Sequence, residues 1–113
     1  MSKQLKRIHV VFKTHLDIGF TDSASVITDS YINDFIPKAM QTAKELRERG
    51  GKERLVWTTG SWLIYTYWKK ADAEKRAALK EAVEAGDIAW HALPFTTHTE
   101  LMDAGLWEYG LSY

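Results

Sequence analysis

The sequence alternates between short β-branched runs and longer segments with helical spacing. Residues 8–13, 54–59 and 87–93 are three candidate strands, rich in Val, Ile, Leu and aromatic side chains. Apolar residues recur at helical spacing between the first two runs, and two more helical patterns separate the second run from the third. Such alternation is typical of parallel α/β architecture, in which helices cover the faces of a sheet. We therefore predict an α/β fold containing three βα units.

Turn and capping residues interrupt or bound the helical patterns. Pro37 lies inside the first pattern and removes a backbone donor there, so the helix either begins near Pro37 or bends at it; we favour a bend. Other residues mark the ends of helices by their conformational and capping preferences. They are Gly50 and Gly51 after the first helix, Ser61 before a helix over 62–69, and Asp72 and Gly86 around the next. We expect the last helix to begin near Ala104.

Three parallel strands make an incomplete sheet, because their edges stay unpaired unless further strands or helices cover them. The chain of 113 residues shows no internal repeat or linker that would indicate a second domain. We expect residues 1–113 to be the N-terminal portion of one β/α-barrel domain within a longer chain. The open edges would then be covered by the rest of that chain or by oligomerisation.

Composition excludes several classes of protein. Fifteen basic side chains balance fifteen acidic ones, which argues against a nucleic-acid-binding surface or an acidic tail. The absence of cysteine rules out disulfides, thiolate metal sites and thiol nucleophiles. The apolar run at residues 8–12 is interrupted by His9 and is too short for a signal peptide or a membrane span. We expect a cytoplasmic protein without membrane or nucleic-acid partners.

The loop after the first candidate strand contains His15 and Asp17. In extended backbone the two side chains leave the same face, about 7 Å apart at their α-carbons, which allows them to converge on one ion. Imidazole and carboxylate together suit zinc or a similar divalent cation. Two ligands do not complete a catalytic zinc site, which keeps at least three from the protein. The pair could equally form hydrogen bonds within the loop.

The third candidate strand and its loop supply further polar groups. His91 lies on the strand, where it is either a packed histidine or a ligand, while His98 and Glu100 follow among threonines. Polar side chains gathered at a strand end suit a polyhydroxylated ligand, although ordinary solvation of a loop gives the same pattern. Phe20, directly after Gly19, is the better candidate for a platform facing a sugar ring. We expect the other aromatic residues of the second strand and its helix to be packing residues; they are Trp57, Trp62, Tyr65 and Trp68.

Several of these segments resemble, in order and spacing, the N-terminal catalytic part of glycoside hydrolase family 38, the zinc-dependent α-mannosidases, and in particular a bacterial branch of that group. The matching stretches are KTHLDIGFTD, LVWTTGSWLIYTYWKK, EAGDIAWHALP and THTELMD, which span nearly the whole chain. The family's H-x-D-x-G-aromatic signature corresponds to His15, Asp17, Gly19 and Phe20. The family usually has Asn, Pro and Trp where this chain has Leu16, Ile18 and Phe20.

The resemblance implies an irregular parallel β/α barrel with one Zn²⁺ in each complete active site, held in part by His15 and Asp17. It implies retaining hydrolysis of α-mannoside-like glycosides, in which a carboxylate nucleophile forms a glycosyl-enzyme intermediate. In the family the nucleophilic Asp and a further zinc-binding His come later, so we expect the nucleophile C-terminal to Tyr113 and no activity from these residues alone. The alternatives are a metal-dependent polysaccharide deacetylase on a related barrel, and a non-catalytic carbohydrate-binding or structural α/β domain.

Overall fold

The structure, a computed structural model, describes residues 6–112 and mixes helices with two parallel strands. This combination of helices and parallel strands is compatible with the predicted α/β class. The elements, in chain order, are α1 (Ala24–Ser30), a π-helical turn (Tyr31–Phe35), α2 (Ile36–Glu48), β1 (Trp57–Gly60), α3 (Ser61–Lys70), α4 (Ala73–Glu84), β2 (Ile88–His91), a 3₁₀ turn (Thr99–Leu101) and α5 (Ala104–Leu111).

Strands β1 and β2 pair in parallel, with Trp57 beside Ile88 at one end and Gly60 beside His91 at the other. Helices α3 and α4 form the connection between them, as a parallel pair requires. Each strand has four residues and is shorter than the run that predicted it. The two runs are therefore confirmed as neighbouring parallel strands, with narrower bounds than 54–59 and 87–93.

The first candidate strand is the main correction. Only Lys13 pairs with the sheet, through an isolated parallel bridge to Thr58, and the N–H of Thr14 donates to the carbonyl of Thr58 at 2.9 Å. An apolar run gains stability as a strand only when other side chains cover its faces. That cover is lacking along residues 8–12, since the apolar side chains there are 70% to 83% exposed; they are Ile8, Val10, Val11 and Phe12.

The helical segment before Pro37 changes its hydrogen-bond pattern. The N–H of Ile36 donates to the carbonyl of Tyr31, five residues back, which is the spacing of a π-helix. Pro37 has no N–H to offer the carbonyl of Asn33, and its ring would crowd that carbonyl in a regular α-helix. The predicted irregularity at Pro37 is therefore a widened turn immediately before it.

Most predicted helix ends are confirmed. Gly50 and Gly86 have φ of +69° and +76°, the left-handed conformation that ends α2 and α4. The carboxylate of Asp72 accepts from the N–H of Lys75 at 2.8 Å and caps α4. The prediction for α3 was wrong by one residue, because Gly60 is the N-cap and Ser61 is the first helical residue.

The core lies between α2, α3, α4 and the two strands. Its largest members are Ile36, Leu63 and Tyr67, which are almost completely buried. Partly buried tryptophans pack against this core as predicted; they are Trp57 and Trp62. The prediction was wrong for Tyr65 and Trp68, which are 43% and 45% exposed because they lie on the other side of α3 from Leu63 and Tyr67. In the described part of the chain, no helix is long and apolar enough to cross a membrane.

Candidate functional site at the carboxyl ends of the strands

The carboxyl ends of the paired segments meet at one edge of the molecule. Lys13, Gly60 and His91 each stand at the end of a parallel segment, and ligands of α/β folds bind at such edges. A small cavity of about 10 Å³ lies here, which is room for roughly one water molecule. The residues around it include Lys13, Thr14, Thr59, Gly60, His91 and Pro94.

His15 and Asp17 project from the first loop beside this edge. Leu16, between them, turns inward and packs against the core, so the extended backbone directs its two neighbours outward. The Nε2 atom of His15 lies 3.0 Å from Oδ1 of Asp17, with the two side chains 65% and 54% exposed. The structure therefore brings the two predicted metal ligands together, and in this arrangement they form a hydrogen bond.

Tyr31 is a site residue that the sequence reasoning missed. Its hydroxyl donates to the carbonyl of His15 at 3.3 Å and ties the first loop to the π-helical turn. Burial raises the pKa of Tyr31, and the negative charge of Asp17 raises it further, so the phenol keeps its proton and remains a donor. Pro37 was the sequence signal for an irregular helix here, and π-turns are frequent at functional sites.

The donors at this edge are fewer than a zinc site needs. Within residues 6–112, no three side chains of His, Asp or Glu lie close enough together to hold a metal ion. One imidazole and one carboxylate fit zinc in kind, and a complete site needs at least one further protein ligand. His15 and Asp17 are thus suited to hold such an ion in part.

The loop after β2 is fixed against the start of α3. The N–H groups of Ser61 and Trp62 donate to the carbonyls of Leu93 and Pro94 at 3.3 and 3.2 Å. Gly60 allows this approach, because a Cβ at that position would overlap the carbonyl oxygen of Pro94 and lie 2.8 Å from its carbonyl carbon. These contacts use the first amides of α3, so the loop satisfies donors that a helix leaves open.

His91 is half-buried at the end of β2 and lines the small cavity. Its Nε2 atom is buried with no hydrogen-bond partner in the described part of the chain. Burial lowers the pKa of His91, the charge of Lys13 lowers it further, and a backbone hydrogen bond at Leu93 acts in the opposite direction. His91 is therefore favoured as a neutral imidazole with one unsatisfied ring nitrogen facing the strand ends.

The remaining candidate substrate-binding residues are exposed. Phe20 is 88% exposed, which leaves its ring accessible to a ligand. His98 precedes the 3₁₀ turn, and its carbonyl accepts from the N–H of Leu101 at 3.0 Å; Glu100 lies within the turn. None of the three lines the cavity at the strand ends. The structure therefore leaves Phe20, His98 and Glu100 as peripheral candidates, with His91 nearer the centre.

Comparisons of this chain with protein-family models, with curated proteins and with solved structures found no match. The indications of function are therefore those of the residues themselves. The relevant features are the outward pair His15 and Asp17, the Tyr31 hydroxyl that holds their loop, and the unsatisfied His91 nitrogen at the neighbouring strand end.

Proposed function

We propose that this chain supplies part of the zinc site of a retaining glycoside hydrolase that acts on α-mannoside-like glycosides. The observation that carries the proposal is the 3.0 Å approach of His15 Nε2 to Asp17 Oδ1 in a loop at the carboxyl edge of parallel segments. The resemblance to glycoside hydrolase family 38 supports the same pair as metal ligands. On this proposal the described elements are the first βα units of a parallel β/α barrel.

In this proposal, the residues of the first loop and Tyr31, which contacts that loop, have different roles. Asp17 provides a carboxylate oxygen and His15 a ring nitrogen, while Leu16 and Tyr31 hold the backbone that carries them. Zinc held by this pair would supply Lewis-acid chemistry to hydroxyl groups of the sugar. Phe20 offers its exposed ring as a stacking surface for that sugar.

Polar side chains from β2 and the loop after it complete the substrate contacts. His91 offers an unsatisfied ring nitrogen, and the exposed side chains of His98 and Glu100 add hydrogen-bonding groups. A sugar has several hydroxyls that both donate and accept, and it can satisfy such a mixed set. The proposed substrate is therefore a carbohydrate rather than an apolar molecule.

Zinc binding tests the central claim. We expect the longest natural chain that carries this sequence to bind one Zn²⁺ in a competition assay with a chelating dye. His15→Ala and Asp17→Ala should each weaken binding by at least about tenfold, because each removes one ligand. His98→Ala is the matched control, since it removes an exposed histidine from the other loop. Equal zinc affinity in the wild type and the three variants would contradict the proposal that His15 and Asp17 bind zinc.

Turnover tests the reaction class. Aryl α-mannosides should be the preferred substrates of the longest natural chain that carries this sequence, and other aryl glycosides form the comparison panel. Zinc binding without hydrolysis of any aryl glycoside would contradict the hydrolase. Release of acetate from acetylated oligosaccharides would instead support the metal-dependent deacetylase.

A second candidate is a non-catalytic carbohydrate-binding or structural domain. The hydrogen bond between His15 and Asp17 favours it, because each group already satisfies the other without a metal. This candidate predicts that any sugar binding is the same before and after treatment with a chelator. The hydrolase predicts that chelation weakens sugar binding and that added zinc restores it.

A further inference from the structure

A second concave region lies away from the strand ends, between α2 and α4. Its volume is about 430 Å³, within the range of small-molecule sites in proteins. Met40 and Lys44 lie on the α2 side, Ala78 and Glu81 on the α4 side, and Tyr67 of α3 also lines it. This region, named here the α2–α4 cleft, contains none of the candidate residues of the zinc site.

Tyr67 contributes an unsatisfied polar group to the cleft. The residue has no exposed surface, and its hydroxyl is buried without a hydrogen-bond partner in the described part of the chain. Burial raises the pKa of Tyr67 and the charge of Asp72 raises it further, so the hydroxyl keeps its proton and can donate. A buried donor left unsatisfied is destabilising, which makes an acceptor in the cleft favourable.

Two ion pairs span the cleft. Arg47 lies 3.1 Å from the buried carboxylate of Asp87, and Lys44 lies 3.5 Å from Glu81. A strongly anionic ligand would have to compete with Asp87 for Arg47 or with Glu81 for Lys44. Hydrogen-bond donors and acceptors both line the cleft. An uncharged ligand that has several donors and acceptors of its own therefore fits the cleft better.

Acceptors for such a ligand lie near the amino end of α4. Oδ1 of Asp72 caps the helix by accepting a hydrogen bond from the backbone N–H of Lys75. Glu74 has no ion-pair partner within residues 6–112. The Nζ atom of Lys75 donates to Oδ1 of Asn33 at 2.8 Å, which leaves the amide N–H groups of Asn33 as donors. This end of the cleft can therefore both donate to hydroxyl groups and accept from them.

We propose that the α2–α4 cleft binds one small neutral polyhydroxylated molecule, a monosaccharide or polyol, and that the Tyr67 hydroxyl donates to one of its oxygens. The carboxylates of Asp72 and Glu74 accept from its hydroxyl groups. Binding here is independent of zinc and of the proposed hydrolase, because no atom of the His15 and Asp17 pair is involved.

The test is a titration of the ¹⁵N-labelled protein followed by NMR, with mannitol and glucose as neutral probes and glucose 6-phosphate as the charged comparison. Saturable shifts should appear at amides of residues 40–47 and 72–78 with both neutral probes. Tyr67→Phe should weaken binding at least about tenfold, the ratio that corresponds to 1.4 kcal/mol. Tyr65→Phe is the matched control on the same helix and should bind as the wild type does.

Thermal unfolding separates loss of binding from loss of the fold. Without a probe, Tyr67→Phe should melt at or above the wild-type temperature, because it removes a buried hydroxyl that lacks a partner. Saturating mannitol should then raise the melting temperature of the wild type more than that of Tyr67→Phe. Equal binding by wild type and Tyr67→Phe, or no saturable shift with either neutral probe, would overturn the proposal. Tighter binding of glucose 6-phosphate would overturn the choice of a neutral ligand.

Discussion

The loop after Lys13 and the loop after β2 are held in different ways. Residues 92–97 are fixed by two amides of α3, by the hydroxyl of Ser61 and by the close approach at Gly60. Residues 14–22 are held by one backbone hydrogen bond at Thr14, by the packing of Leu16 and by the Tyr31 hydroxyl. Fewer anchors mean that the first loop opens at lower free energy than the second. The candidate metal ligands thus lie on the more adaptable loop.

Gly60→Ala should have the largest effect, because it disrupts the more strongly held loop. The new Cβ would overlap backbone atoms of Pro94, so either the loop after β2 or the end of β1 has to move. We expect the free energy of unfolding to fall by about 1–3 kcal/mol, the range for overpacking a closely packed position. Urea unfolding followed by circular dichroism measures it.

Gly105→Ala is the control for this substitution. Gly105 lies in α5, and a Cβ there would meet only the side chain of Asp103, at an ordinary 3.5 Å. Since alanine is the better helix former, the free energy of unfolding should stay the same or rise. Equal losses for Gly60→Ala and Gly105→Ala would mean that contact with Pro94 does not explain the glycine at position 60.

Leu16→Ala should have the next largest effect, since Leu16 is the hydrophobic anchor of the first loop. The side chain is partly buried, so the loss should be about 1–2 kcal/mol, below the range for a fully buried leucine. Ile18→Ala is the matched control: Ile18 is 41% exposed in the same loop and should change stability by less than about 0.5 kcal/mol. If both substitutions had equal effects, the packing of Leu16 against the core would not be what anchors the loop.

Tyr31→Phe removes the polar anchor of the same loop and keeps the ring. The lost hydrogen bond to the His15 carbonyl should lower the free energy of unfolding by about 0.5–1.5 kcal/mol. If the loop also positions the metal ligands, zinc affinity should fall while His98→Ala leaves it unchanged. Competition with a chelating dye measures the affinity, and loss of stability with unaltered zinc affinity would restrict Tyr31 to a structural role.

The regular elements were predictable because local chemistry decides them. Asp72 caps a helix by its own carboxylate, and Gly50 and Gly86 end helices by adopting positive φ, whatever lies elsewhere in the chain. The outcome for residues 8–13 was not predictable in this way, because a strand is stable only when other side chains cover its faces. Of this run, only Lys13 pairs with a strand. Local patterns therefore predicted helices well and strand lengths poorly.

The candidate site was predictable only to the extent that its residues are close in sequence. His15 and Asp17 are two residues apart, and extended backbone brings them to one face whatever the fold. Tyr31 reaches His15 from another element, sixteen residues away, and the exposure of Tyr65 and Trp68 depends on which side of α3 faces the core. Such relations require the tertiary structure.

The smallest predicted effect is a pH dependence at His91, where the two loops meet the strand ends. Because its pKa in the folded state lies below 6.5, the unfolded chain binds more protons than the folded protein as pH falls through 6.5. The wild type should therefore lose stability relative to His91→Gln in that range, and the two should run parallel above it. An NMR titration of the imidazole should give a midpoint below 6.5, and Lys13→Gln should move it upward by removing a nearby positive charge. A midpoint above 6.5 would contradict the burial of the ring. An unchanged midpoint in Lys13→Gln would mean that the charge of Lys13 does not act on His91.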